Sequence, residues 1–259
     1  MKIGADLSRW FDTNTFYKKP TVVGKLGFVD SASFIARKYS ERAALKDSRV
    51  AKRKKVSIPG PFTLASLVSD SFYRSRKELI HEFAKLLRTV LISLSRLGYS
   101  CVQLNEPSLV YEYGVSALAN KSDFEEYLEA FSRNFSRCGI EIYLHTYFGD
   151  CSKILKDLVG LTGVSTVGID FTQTSLSALD SVSLKDKALG CGCVDGRNSL
   201  IETPEWISDF CESATKQLRP SGLVIFPSCD LKYLPRVYAD EKVKAIGRAA
   251  RILQERKTQ

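Results

Sequence analysis

Three residues of the sequence could together hold a metal ion: His145, Asp170 and Cys229. They offer one nitrogen, one oxygen and one sulfur ligand, and this mixture suits zinc. A catalytic zinc ion takes three protein ligands and keeps one open position, which this set could supply. The opposite interpretation is a histidine hydrogen-bonded to a carboxylate and a buried thiol, and residue types alone leave both open.

A second set of polar residues could bind or activate a substrate. Glu106 precedes Pro107, which favours an extended backbone before it, and the carboxyl group could act as a base or orient a ligand. A structural salt bridge to an arginine such as Arg197 is an equal alternative. Asp195 is the other candidate catalytic residue, and the candidate substrate-binding residues are Gln103, Asn105, Tyr147, Arg197 and Asn198.

Short apolar runs alternate with longer segments of helical periodicity, and these elements must position the candidate residues. The runs predict strands at 56–58, 101–104, 140–144, 164–169, 188–194 and 223–226. The periodic segments predict helices from 61 to 67 and at 75–97, 123–137, 152–161, 176–180, 204–218 and 240–254. Ser122 or Asp123 is expected to cap the helix at 123, and Thr203 with Pro204 to begin the helix at 204.

The alternation of strands and helices predicts a parallel sheet covered by helices. Two further strands are expected at 3–5 and 22–26, which would bring the count to eight. An α/β fold with eight such units predicts a (β/α)8 TIM barrel, a single domain over residues 1–259. An open doubly wound sheet is less favoured because no glycine-rich phosphate turn follows a strand. In a barrel the candidate residues, which follow predicted strands, would meet at one end.

Composition bounds the class of protein. The chain has 259 residues, 44% of them hydrophobic, and no break in composition that would separate two cores. No apolar run approaches the roughly 20 residues of a membrane span, so a soluble cytoplasmic protein without membrane contact is expected. Seven cysteines, an odd number without regular spacing, indicate reduced thiols. Cys191 and Cys193 would point to one face of a strand, where ordinary buried cysteines are favoured over a metal site.

The net charge of +9 is partly concentrated between residues 37 and 55, with four consecutive basic residues at 52–55. Nucleic acid is an unfavoured partner, because no aromatic residues interleave with this run and no nucleic-acid motif surrounds it. A solvated face is the simplest interpretation. A binding surface for a polyanionic small molecule is the third.

Six segments in order resemble the cobalamin-independent methionine synthase family. They are Arg-Trp-Phe-Asp-Thr-Asn at 9–14, Pro-Gly-Pro-Phe-Thr at 59–63, Val-Gln-Leu-Asn-Glu-Pro at 102–107, Leu-His-Thr-Tyr-Phe-Gly at 144–149, Val-Asp-Gly-Arg-Asn at 194–198 and Pro-Ser-Cys at 227–229. The resemblance implies one barrel of a two-barrel architecture. In that architecture the C-terminal barrel carries zinc and homocysteine, and the N-terminal barrel helps to bind polyglutamated folate. The phrases look more like the N-terminal barrel.

The departures from the family pattern concern its zinc set of His, Cys, Glu and Cys. Here Tyr147 stands where the first cysteine would fall, Asp170 stands for the glutamate, and His145 and Cys229 match. Asn105 replaces an aspartate that helps to hold the amino group of homocysteine. The resemblance implies a methyltransferase that moves a methyl group from a folate or corrinoid donor to a thiol in methionine biosynthesis. The alternative is a non-catalytic folate-binding subunit that partners a separate catalytic barrel.

Overall fold

The structure is a computed structural model that describes residues 2–11, 13–27, 55–111 and 121–258. It divides into two compact units. Unit 1 comprises Met1–Leu144 and Gly160–Val164, and unit 2 comprises His145–Val159 and Ser165–Gln259. Most of the basic segment between residues 37 and 55 lies outside the described residues. The single-barrel interpretation of residues 1–259 stays a prediction.

The elements follow the predicted alternation of strands and helices. The strands are β1 (Lys2–Arg9), β2 (Phe16–Val22), β3 (Lys55–Pro59), β4 (Ser69–Asp70), β5 (Cys101–Asn105), β6 (Glu141–Thr146), β7 (Val164–Asp170), β8 (Ala188–Val194) and β9 (Gly222–Pro227). The α-helices are α1 (Pro61–Ser66), α2 (Arg76–Arg96), α3 (Lys121–Phe135), α4 (Leu155–Gly160), α5 (Pro204–Leu218) and α6 (Arg236–Thr258). Short 3-10 helices lie at Pro107–Leu109, Leu176–Leu179 and Leu231–Tyr233.

Six strands form one parallel sheet in the order β3-β5-β6-β7-β8-β9. They correspond to the six strands predicted from apolar runs. The four inner strands β5 to β8 are largely buried, as expected for a parallel sheet that helices cover, whereas β3 and β9 at the ends of this order are mostly half-buried or exposed. The prediction of a parallel α/β sheet is therefore confirmed.

The two extra strands expected near the N-terminus do not join this sheet. In the described residues β1 pairs with β2 antiparallel, and β4 joins β2 to make a separate three-stranded sheet. The strand expected at 22–26 was wrong, because β2 ends at Val22. Exposed and half-buried residues alternate over the first four positions of β2, and Val22 is its one buried residue, which indicates a largely solvent-facing strand rather than a buried parallel strand.

Unit 1 contains a helical layer with an aromatic core. Helix α2 begins at a Ser75 cap whose hydroxyl accepts from the Glu78 N–H, and its apolar face is buried. Helix α3 begins at Lys121, so the cap expected at Ser122 or Asp123 was wrong. Tyr127 stacks on Phe124 and meets Phe62 edge to face, which ties α3 to α1.

Unit 2 contains two long helices. Helix α5 begins as predicted, because Thr203 accepts from the Trp206 N–H at 3.2 Å and Pro204 occupies the first helical position. Helix α6 packs on α5, where the Ser208 hydroxyl donates to the Ala249 carbonyl at 3.2 Å. In the part of the chain that the structure describes, none of the helices combines the length and apolar character needed to cross a bilayer.

Candidate functional site

Glu106, directly after β5, is a fully buried carboxylate of unit 1. Its two oxygens accept from the N–H groups of Phe62 at 3.0 Å and Thr63 at 2.7 Å, at the start of α1. A side chain on Gly60 would collide with it, since an added Cβ would lie 2.3 Å from Glu106 Oε1. Burial raises the pKa of Glu106 to about 7. Through these two hydrogen bonds Glu106 holds the start of α1, and its predicted catalytic role stays a prediction.

A polar ladder links β3 and β5 in unit 1. Lys55 Nζ donates to Gln103 Oε1 at 2.8 Å, the Gln103 amide donates to Asn105 Oδ1 at 2.8 Å, and the Asn105 amide donates to the Ser57 hydroxyl at 2.8 Å. Lys55 also lies over the Tyr143 ring. Two predicted substrate-binding residues, Gln103 and Asn105, therefore share one hydrogen-bonded row, and Lys55 belongs to it.

In unit 2, His145 lies in a close-packed aromatic pocket. Its ring is 4.6 Å from that of Phe226 and 5.1 Å from that of Tyr147. Glycines on the next strands make room for it. An added Cβ on Gly168 would lie 2.8 Å from both His145 Cδ2 and Phe226 Cζ, and one on Gly190 would lie 2.4 Å from the Phe226 ring. His145 is thus held by packing and is almost fully buried.

Asp170 ends β7 in unit 2 and organises the loop after β6. Its Oδ2 accepts from the Phe148 N–H at 3.1 Å, and its Oδ1 accepts from the backbone and hydroxyl of Thr172 at 2.9 and 2.5 Å. Burial raises the pKa of Asp170, while these hydrogen bonds and the charge of Arg197 lower it. Asp170 is therefore an oriented carboxyl group within the electrostatic reach of a guanidinium.

Two of the sequence segments that carry the resemblance pack on each other in unit 2. The Gly196 N–H donates to the Ser228 hydroxyl at 3.1 Å, and an added Cβ on Gly196 would lie 2.7 Å from Cys229 Sγ. Burial raises the pKa of the Cys229 thiol to about 12, so the thiol is protonated at neutral pH. Arg197 is exposed, and its guanidinium lies over the Phe148 ring at 5.2 Å.

The turn that carries Arg197 is fixed from within and from α6. Asp195 Oδ1 accepts from the Arg197 N–H at 2.8 Å, and Asn198 Oδ1 accepts from the Leu200 N–H at 2.9 Å. Glu202 accepts from the Asp195 N–H at 2.8 Å and from Lys242 Nζ at 2.7 Å. The observed contacts give Asp195 and Asn198 a role in shaping the turn.

The predicted zinc ligands do not form a compact set in this arrangement. Among the described residues, one set of three candidate ligand atoms lies within 4.8 Å of one another, and it consists of Cys191, Cys193 and Cys211. His145, Asp170 and Cys229, which the structure describes, are not a set whose ligand atoms lie within 4.8 Å of one another, and we assign no step to a metal there. Zinc at these three residues stays a prediction.

The family model described as the cobalamin-independent synthase N-terminal domain matches residues 2–219. The chain belongs to this family. The match contains five of the six sequence segments, all except the one at 227–229, and it agrees with their resemblance to the N-terminal barrel. It covers both units, apart from the end of unit 2.

Relatives of this synthase family member carry the name methionine synthase. The protein from Sulfurisphaera tokodaii is 24% identical over 247 residues, which cover 95% of this chain and 69% of that protein. The Sulfolobus acidocaldarius protein is 22% identical over 93% of this chain and 67% of that protein. Both relatives are longer than this chain.

Solved structures of similar proteins establish the fold of this synthase family member. A B12-independent methionine synthase from Shewanella sp. W3-18-1, solved with selenomethionine, matches with a TM-score of 0.71 at 20% identity, over 94% of this chain and 72% of that one. A methyltransferase from Methanosarcina mazei matches with a TM-score of 0.61 at 14% identity, over 95% of this chain and 75% of that one. The predicted TIM-barrel fold class is confirmed.

Sequence reasoning missed the residues that shape the His145 pocket in this synthase family member. Gly168 and Gly190 are directly paired across β7 and β8, and both face Phe226. The available signal was glycine inside a buried strand, which marks a close approach by another group. Lys242 was missed too, because a fully buried lysine cannot be distinguished by its sequence from the other basic residues of α6.

Proposed function

We propose that this chain is a methyltransferase of the methionine synthase type, which moves a methyl group from a folate or corrinoid donor to a thiol such as homocysteine. The observation that carries the proposal is the family match, together with the grouping of Asp170, Arg197 and Cys229 in unit 2. These three residues end or follow three different strands, and the charges of Asp170 and Arg197 act on each other and on the Cys229 thiol. The names of the relatives support a methyltransferase.

Arg197 is the residue we assign to the carboxylate of the acceptor. A guanidinium pairs with a carboxylate through two parallel hydrogen bonds, which fixes the orientation of an amino-acid substrate. Arg197 is exposed, and its stacking on Phe148 holds the guanidinium plane. An acceptor bound there would bring its thiol towards the loop that Asp170 organises.

Asp170 is the group we assign to the thiol proton. The acceptor sulfur must lose its proton before it attacks, because the thiolate is the nucleophile. The sulfur lone pair then forms the bond to the methyl carbon while the bond between that carbon and the donor breaks. The electron pair of the broken bond stays on the donor. A carboxyl group whose pKa is raised by burial is a stronger base than an ordinary aspartate.

Methyl transfer by the purified chain tests the proposal. Homocysteine would be supplied with methyltetrahydrofolate carrying one or three glutamates, or with methylcobalamin, and methionine would be measured. Arg197→Ala should raise KM for homocysteine at least tenfold, while Arg236→Ala, a surface ion-pair variant in α6, should leave it unchanged. If the purified chain alone formed no methionine from any of these donors, the proposal would be rejected.

A second candidate is a non-catalytic folate-binding subunit that works with a separate catalytic barrel. Two observations favour it: the match is to an N-terminal domain, and Tyr147 is buried where the resemblance places a metal-binding cysteine. This protein would bind folate but form methionine only after a catalytic barrel is added. Charge reversal at Lys52, Arg53 and Lys54 should then weaken triglutamate binding more than monoglutamate binding. Equal weakening would reject a role for the basic segment.

A further inference from the structure

The two faces of strand β8 in unit 2 have different chemistry. Gly190 and Gly192 alternate with Cys191 and Cys193, as side chains alternate along any strand. The glycine face approaches Phe226 and Ser228. The cysteine face meets α5, whose buried stripe includes Ile207, Cys211, Ala214 and Leu218. The cysteines therefore lie on the side of β8 that faces away from the His145 pocket.

Three thiols converge between β8 and α5. The sulfur atoms of Cys191, Cys193 and Cys211 all lie within 4.8 Å of one another, and each cysteine is buried and reduced. We propose that these three thiols bind one soft metal ion, with zinc as the expected ion, and that the ion fastens α5 to β8. The prediction of ordinary buried cysteines considered Cys191 and Cys193 alone, and α5 supplies the third ligand.

The spacing of the sulfur atoms suits a single ion. Three zinc–sulfur bonds of about 2.3 Å around one centre place the sulfurs roughly 4 Å apart, a small closure from the observed arrangement. Thiolate ligands select zinc or cuprous copper over magnesium and calcium. A divalent ion neutralises more of the charge of three thiolates than a monovalent ion does, and a buried site favours the smaller net charge. Zinc is therefore favoured over cuprous copper.

The proton balance of the cluster makes the proposed binding depend on pH. A thiol binds a metal ion as its thiolate, so each ligand must lose its proton. Binding would release these protons to solvent, and affinity should increase with pH.

Metal retention by the full chain tests the site. The protein would be stripped of metal under reducing conditions, refolded with zinc, cuprous copper or magnesium, passed through a desalting column and analysed for metal. Refolding is needed because the cluster is closed to solvent. The wild type should retain one zinc per chain. Cys211→Ser and Cys191→Ser should weaken zinc binding at least 100-fold in a chelator competition.

Two matched variants separate this site from other thiols. Cys138→Ser removes a buried free cysteine of unit 1, and Cys229→Ser removes a member of the predicted His145 set. Both should retain zinc as the wild type does. Loss of zinc from Cys229→Ser, or its retention by Cys211→Ser, would overturn the proposal. Retention of cuprous copper without zinc would overturn the choice of zinc.

A spectroscopic measurement on the unmodified chain covers the case in which the serine variants do not fold. Cobalt would replace zinc, and bound thiolates would give an intense thiolate-to-cobalt charge-transfer absorption. We expect an intensity that corresponds to three thiolates, with a thermal midpoint higher with metal than without. A cobalt-loaded protein without that absorption would overturn the site.

Discussion

Glu106 in unit 1 and Asp170 in unit 2 are both buried carboxyl groups at strand ends, and both accept backbone N–H groups from a neighbouring loop or helix. They differ in what surrounds them. Glu106 has α1 above it and no exposed fraction, whereas Asp170 is held by Thr172 and lies within the field of Arg197. A buried carboxyl group near a site can therefore be a structural support or a reacting group, and its neighbours distinguish the two.

Removing Glu106 should have the largest effect on stability. Glu106→Ala leaves two buried N–H groups without an acceptor and opens a cavity, so the free energy of unfolding should fall by about 3–4 kcal/mol. Urea unfolding measures the change. Glu129→Ala, which removes an exposed carboxylate paired with Arg133, is the control and should cost less than about 0.5 kcal/mol. If both variants lost the same free energy of unfolding, Glu106 would not be a structural support of α1.

Asp170→Asn should act on methyl transfer more than on folding. On the proposed function, kcat/KM should fall about 100-fold, which is roughly 2.7 kcal/mol of transition-state stabilisation. The asparagine can still accept one backbone hydrogen bond, so the free energy of unfolding should fall by only about 1 kcal/mol. Parallel kinetics and urea unfolding would check both values. Full activity in a folded variant would show that Asp170 is a structural support, as Glu106 is, and not a reacting group.

The pH dependence of stability should reveal the titration of Glu106. Its folded-state pKa of about 7 lies above the ordinary 4.5, so the folded protein binds this proton more tightly than the unfolded chain. This contribution to stability is complete below pH 4.5 and is lost as the pH rises through 7. Relative to Glu106→Gln, the wild type should lose about 3 kcal/mol as the pH rises from below 4.5 to above 7. Parallel curves for the two proteins would contradict the raised pKa.

Gly168→Ala tests the packing around His145 and should have the smallest effect. The added methyl group would meet the His145 and Phe226 rings at 2.8 Å, so unfolding should become easier by about 1–2 kcal/mol. Gly222→Ala is the control, because its added Cβ meets only Ala188 at an ordinary 3.5 Å. Thermal unfolding of both variants measures the difference. An unchanged thermal unfolding of Gly168→Ala would show that the His145 pocket can accommodate the added methyl group without strain.

Periodicity predicted much of the fold because its signal is local. The apolar runs of β5 to β9 and the Thr203-Pro204 helix start reflect burial and capping that short segments encode. Strand β2 was misplaced because its sequence, Phe-Tyr-Lys-Lys-Pro-Thr-Val, contains no apolar run, and its antiparallel pairing with β1 is not encoded in either segment alone.

The candidate site was harder to predict than the fold. Residue types and positions after predicted strands identified Glu106 and Asp170 as candidate site residues, but not their hydrogen-bond partners Phe62, Thr63 and Phe148, which come from distant segments. The three cysteines near α5 show the same limit, since Cys211 lies far from Cys191 in sequence and only packing brings them together. Local sequence encodes the elements, while the chemistry of a site depends on which elements pack together.

Lys242 bears on where this protein can be divided. The residue lies in α6, beyond the segment that matches the family model, yet its buried ammonium group holds Glu202, which in turn holds the Asp195 backbone. A fragment cut at residue 219 would leave Glu202 without its cation and the Arg197 turn without its outer anchor. The segment that matches the family model is therefore shorter than the segment that holds the Arg197 turn in place. A shortened or recombined version of the protein must include α6.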